Sequence, residues 1–151
     1  MAPTPPNPIP DIEAELALLL RRAEASRRAD AQTAHRMLDR AAYVILRHLA
    51  EQGPTNLGSL ATALGVDAST ATRQVSALQR DGLVRRDPDP HDRRGTVVAA
   101  TDEGLTRYQA VRQARAELYA TILSGWSATD LQTLARLLHR LNAALDAHAR
   151  R

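Results

Sequence analysis

The chain has 151 residues, 44% hydrophobic and 25% charged, with 3% aromatic residues, no Phe and no Cys. That length suffices for one domain core, and the missing cysteine excludes disulfides, a thiol nucleophile, a thiol peroxide sensor and a zinc ribbon. No apolar run approaches the ~18 residues of a membrane-spanning helix, and residues 1–10, MAPTPPNPIP, carry neither the basic nor the apolar region of a signal peptide.

All 20 basic residues are Arg. GC-rich coding accounts for the absence of Lys but not for where the arginines sit. A net charge of +3 and a pI near 10.1 suit a polyanionic partner if the charge is clustered.

Residues 1–10 are too rich in proline for helix or sheet pairing and read as a disordered tail or extended arm. From Asp11, a candidate N-cap, Ile12, Leu16, Leu19, Leu20 and Ala23 recur at helical spacing, predicting an amphipathic helix to about residue 31. A second helix is expected from about His35 to Gln52, with Leu38, Ala42, Ile45, Leu46 and Leu49 on its apolar face and Gly53-Pro54 as its stop. A short helix then spans 57–64 behind Asn56, Gly65-Val66 turns, and Asp67 caps a helix over 68–80. Leu83–Arg86 and Thr96–Ala100 favour strand, and the Pro- and Gly-rich stretch 87–95 between them predicts a hairpin with a nine-residue loop. So long a loop suggests a working tip. Thr101 caps a long helix to about Ser124. Ser127 and Asp130 have capping-box spacing for the last helix, whose Leu131, Leu134, Leu138, Leu141 and Leu145 alternate by three and four in a heptad seam.

The segment LGSLATALGVDASTATRQVSALQRDGLVRR has a helix-turn-helix pattern. Leu60, Ala61 and Leu64 pack the first helix, Gly65 permits the tight turn, and Ala71, Val75 and Leu78 pack the second. That leaves Ser69, Thr70, Thr72, Arg73 and Ser76 facing outward, a set suited to the major groove. Arg85, Arg86, Arg93 and Arg94 follow within ten residues. A run of charge is commonly just a solvated face, but here it sits on a hairpin directly after the candidate recognition helix, where it can reach an adjacent minor groove.

The motifs Gly82-Leu83-Val84-Arg85-Arg86, Asp92-Arg93-Arg94 and Ala100-Thr101-Asp102-Glu103-Gly104, with the helix-turn-helix before them, resemble the MarR family of regulators, and the likeness in helix order extends from about residue 11 to the end. The resemblance implies a mainly α, α+β fold: a winged helix-turn-helix over 35–100, flanked by dimerisation helices at 11–34 and 101–151. It also implies a homodimer on double-stranded DNA with a pseudo-palindromic site. By position, Arg94 resembles the wing-tip residue that enters the minor groove, Asp92 the carboxylate that orients it through an ion pair, and Arg93 a phosphate contact, with Arg86 at the base of the wing. The plainer reading of Asp92 is turn chemistry. Gln74 and Ala100 depart from the aliphatic residues usual at their positions.

Dimerisation is expected through Ile12, Leu16 and Leu19 with Leu131, Leu134, Leu138, Leu141 and Leu145. The family implies no cofactor beyond a small aromatic or phenolic effector, for which His35, Met37, Tyr43 and Trp126 are pocket candidates, though core packing explains them equally. The five histidines lack ligand spacing, so no metal is expected, and no catalytic motif is present. The expected function is a cytoplasmic, ligand-responsive repressor and not an enzyme. The alternative from another class is a winged-helix module for protein–protein contacts without specific DNA binding.

Overall fold

The structure, a computed structural model, describes residues 7–30, 38–92 and 94–149. They fall into two compact units divided after residue 37.

The first unit contains one helix, α1 (Ile9–Asp30). It starts earlier than expected. Ile9 and Pro10 belong to the helix rather than to the tail, and Asp11 lies inside the first turn instead of capping it. The Asn7 side chain accepts from the Ile9 amide at 3.1 Å, and Ile12 N–H reaches the Pro8 carbonyl at 3.1 Å. Proline is tolerated in a first helical turn, because the amide it lacks has no intrahelical partner there. Residues 1–6 of the expected tail lie outside the described residues.

The second unit holds α2 (Arg40–Gln52), β1 (Thr55–Asn56), α3 (Leu57–Leu64), α4 (Ala68–Arg80), β2 (Val84–Pro88), β3 (Thr96–Ala100), α5 (Asp102–Ile122) and α6 (Ala128–Ala149). The Asp39 carboxylate caps α2, accepting from the Ala42 amide at 2.7 Å. The helix therefore begins at Arg40 and not near His35. At its far end Gly53 closes it with φ +79°, a conformation cheap only for glycine.

The sheet is antiparallel with strand order β1-β3-β2. Arg86 lies opposite Val98, Pro88 opposite Thr96, and Thr55 opposite Val98 on the other side. Asp87 and Pro88 extend β2, so the loop is 89–95, shorter than the nine residues expected. Pro88 is accepted because β2 is an edge strand and the missing amide breaks no inner ladder. β1 is an addition that hydrophobic period could not reveal, being only two residues long.

The core is one cluster in which Ile45, Leu46, Leu60, Val75, Leu83 and Val98 are essentially sealed from solvent. Gly104, Tyr108 and Val111 of α5 are buried with it, so residue 100 marks no break in packing. The first half of α5 is part of the winged-helix core. Beyond Val111, α5 and all of α6 bury no residue.

Candidate nucleic-acid interface

Helix α4 owes its position to two local devices. Gly65 adopts left-handed geometry (φ +66°, ψ 32°) and turns the chain between α3 and α4. Asp67 then caps α4. Its Oδ1 accepts from the Thr70 amide at 2.8 Å and the Ser69 hydroxyl at 2.5 Å, and its Oδ2 accepts from the Thr70 hydroxyl at 2.8 Å. The Ser69 hydroxyl above all, then the Thr70 amide and hydroxyl, hold the Asp67 carboxyl well below the usual carboxylate range. Ala71, Val75 and Leu78 bury the inner face. Ser69, Thr72 and Arg73 lie exposed on the outer face, with Thr70 and Ser76 half-buried at its margins. The five residues read from the sequence thus share one surface of one helix.

The wing is joined to this surface. Arg86 Nη2 donates to Ser76 Oγ at 3.3 Å. Adjacent residues of a strand point to opposite faces, so Arg85 turns away from α4. It pairs with Asp87 at 2.9 Å and donates to the Ala100 carbonyl at 3.1 Å.

Backbone bonds and two carboxylates close the tip. Asp89 N–H donates to the Gly95 carbonyl at 3.0 Å and Gly95 N–H to the Asp92 carbonyl at 2.9 Å. Asp89 Oδ1 accepts from the His91 amide at 2.8 Å, and Asp92 Oδ1 accepts from the Arg94 amide at 2.9 Å. Asp92 therefore engages the backbone of Arg94. No ion pair joins it to the Arg94 guanidinium among the described residues, whose three salt bridges lie elsewhere. This geometry is the turn chemistry offered as the plainer reading. Arg94 is exposed at the tip, and Arg93 lies outside the described residues.

The residues expected to dimerise divide between the units. Ile12 and Leu19 are exposed on α1 and Leu16 is half-buried. On α6, Leu131, Leu138 and Leu145 are exposed, and Leu134 and Leu141 half-buried.

The four pocket candidates do not converge among the described residues. Trp126 lines an open recess with Gly125, Asp130, Thr133, Leu134 and Leu137. Tyr43 packs instead on Tyr108, with ring centroids 5.2 Å apart. His35 and Met37 lie outside the described residues. Sequence reading missed Arg115, whose guanidinium sits 4.4 Å above the Tyr43 ring and donates to the Leu38 carbonyl at 3.4 Å. No local signal could have paired residues so far apart in the chain.

Comparison with known proteins agrees with this geometry. The sequence model described as "MarR family" matches residues 38–96, from just before α2 to the first residue of β3. The HTH-type transcriptional regulator YxaD of Bacillus subtilis is 36% identical over 138 residues, covering 91% of this chain and 95% of that one. The HTH-type transcriptional repressor IacR of Pseudomonas putida is 31% identical over 101 residues, covering 67% of this chain and 60% of that one. Among solved structures, RV1404 from Mycobacterium tuberculosis superposes with a TM-score of 0.71 at 28% identity, over 92% of this chain and 95% of the other. The chain belongs to the MarR family of DNA-binding, winged helix-turn-helix transcriptional regulators.

Proposed function

We propose that the chain is a repressor that binds a pseudo-palindromic operator as a homodimer, with α4 in the major groove and the β2–β3 hairpin over the adjacent minor groove. One observation carries this reading: the outward polar face of α4 is tied to the wing by the Arg86–Ser76 bond, so the hydroxyls, Arg73 and the wing form one continuous polar surface. The apolar seams of α1 and α6 support pairing of two copies. Exposed Leu131, Leu138 and Leu145 make a stripe that water solvates poorly. The relative IacR is a transcriptional repressor. A small aromatic or phenolic effector that weakens DNA binding completes the proposal, with the recess lined by Trp126 as the place where an aromatic ring could pack. No helix of the described residues is long and apolar enough to cross a membrane, which accords with a cytoplasmic regulator.

The test is recovery of bound duplexes from fragments of the organism's own genome, followed by titration at rising salt. The proposal expects an inverted repeat and a steep fall of log affinity with log salt, about 0.9 per phosphate neutralised. Binding without sequence preference, or none at low salt, overturns it in favour of a protein-contact module.

A further inference from the structure

We propose that Asp67 sets the hydrogen-bond polarity of α4. Ser69 and Thr70, held by Asp67, and Thr72, held by the Ala68 carbonyl, then meet the major groove as acceptors that read the exocyclic amino groups of adenine or cytosine, while Arg73 and Ser76 meet it as donors. This rests on α4 being the helix that enters the groove.

A hydroxyl has one proton to donate and two lone pairs to accept with. On α4 those protons are already committed. Ser69 donates to Asp67 Oδ1 at 2.5 Å, Thr70 to Asp67 Oδ2 at 2.8 Å, and Thr72 to the Ala68 carbonyl at 2.8 Å. What each oxygen leaves outward is a lone pair. An ionised carboxylate only accepts, so neither Asp67 bond can run in reverse. Bonds of this kind are short and roughly twice as strong as neutral ones, so a base or phosphate does not easily draw the protons away. The Asp67 carboxyl is ionised at neutral pH, as an ordinary aspartate is, and its hydrogen bonds hold it ionised well into acid. Its negative charge beside Ser69 and Thr70 also repels phosphate, so the first turn of α4 is matched to base amino groups and mismatched to the DNA backbone.

The polarity reverses further along the helix. Arg86, which has no acceptor, donates to Ser76 Oγ at 3.3 Å, and the Ser76 proton has no partner among the described residues. Ser76 therefore offers a donor, as does Arg73, suited to guanine N7 and O6, adenine N7 or thymine O4.

The experiment uses the full-length protein and operators it selects from random duplexes. The positions under the first turn are those whose base preference changes in Ser69→Ala and Thr70→Val. Each is then replaced by an analogue: purine for adenine or pyrimidin-2-one for cytosine, which remove the amino donor, and 7-deazapurines, which remove the N7 acceptor. Loss of the amino group is expected to weaken wild-type binding about five- to tenfold, and loss of N7 to change it by less than about twofold. Asp67→Asn keeps an oxygen for the cap but places an amide NH2 where Oδ2 accepted, which turns the Thr70 hydroxyl outward as a donor. In that variant amino sensitivity should shrink and N7 sensitivity appear. Wild-type sensitivity to N7 loss in place of amino loss overturns the proposal, and needs no variant to fold. An unchanged pattern in a folded Asp67→Asn overturns the role of Asp67. If Ser69→Ala, Thr70→Val and Arg73→Ala all leave the selected sequence unchanged, α4 is not in the groove, and the reading beneath the proposal fails with it.

Discussion

Gly104 lies directly against the carbonyl of Leu83. A β-carbon at residue 104 would stand 2.0 Å from that oxygen and 3.2 Å from Leu46 Cδ2. Thr101, three residues earlier, serves the same junction. Its Oγ1 donates to the Gly82 carbonyl at 2.7 Å and accepts from the Gly104 amide at 3.0 Å, while its own amide donates to the Leu83 carbonyl at 3.1 Å. The T-x-x-G motif is thus a joint that seats α5 on the exit of α4. Gly104→Ala should force the two backbones apart and destabilise the fold by roughly 1–3 kcal/mol, lowering the melting temperature by about 2–4 °C per kcal/mol. Thermal unfolding by circular dichroism measures this; a change under about 0.5 kcal/mol would mean the joint yields at little cost.

That motif shows why so much could be read from the sequence. Gly65 and Asp67 act on neighbours a few residues away, Thr101 caps α5 through the Gly104 amide three residues on, and the inner face of α4 repeats at helical period, so each leaves a local signature, whereas the packing of Thr101 and Gly104 on Gly82 and Leu83 joins distant segments and was legible only as a motif. What stayed hidden depends on distant partners. Thr55–Asn56 becomes a strand only because Val97 and Val98 lie opposite it. Arg115 reaches Tyr43 across the core, and Arg86 reaches Ser76 from strand to helix. Where family likeness implied an Asp92–Arg94 ion pair, the free chain holds a backbone contact two residues long, an Asx turn in which the carboxylate accepts the Arg94 amide.

The exposed seam of α6 predicts a homodimer. Leu138→Asp or Leu141→Asp puts a charge into that seam and should yield monomers or aggregates that no longer retain operator DNA. Light scattering at micromolar concentration gives the mass. A monomeric wild-type protein would remove the dimer from the mechanism.

Asp67 predicts an acid-sensitive recognition helix. Its native carboxyl titrates below the unfolded value, near 3.9, so its stabilising contribution is complete above about pH 4 and is lost as pH falls through the depressed native value. Urea midpoints of wild type and Asp67→Asn should therefore differ most at neutral pH and draw together progressively as pH falls below about 4. A gap that stays constant with pH would show that the carboxylate charge adds nothing to the cap.

Arg73 is the long exposed donor in the middle of α4. Arg73→Ala should weaken operator binding by roughly 1–3 kcal/mol and relax preference at one position per half-site if it reads a base. The two half-sites should lie about 10 bp apart or a multiple of that. A uniform loss on all duplexes would reassign Arg73 to phosphate.

The wing allows a test in which two physical roles for Asp92 predict opposite results. Arg94→Ala should weaken binding most on operators with A·T-rich flanks, whose narrow minor groove concentrates negative potential. Arg93→Ala should weaken all duplexes about equally and lower the salt slope by about 0.9 for each phosphate left without its cation. Asp92→Ala removes a negative charge, which by simple electrostatics tightens binding; it also removes the acceptor for the Arg94 amide, which loosens the tip and weakens binding. Asp92→Asn separates charge from geometry, because its Oδ1 can still accept that amide while no carboxylate remains to hold a guanidinium. If Asp92 acts through the turn, Asp92→Asn binds operator like wild type and Asp92→Ala binds more weakly with less preference for A·T flanks. If Asp92→Asn is as impaired as Asp92→Ala, the turn account is wrong, and the carboxylate must swing to the Arg94 guanidinium when the wing meets DNA.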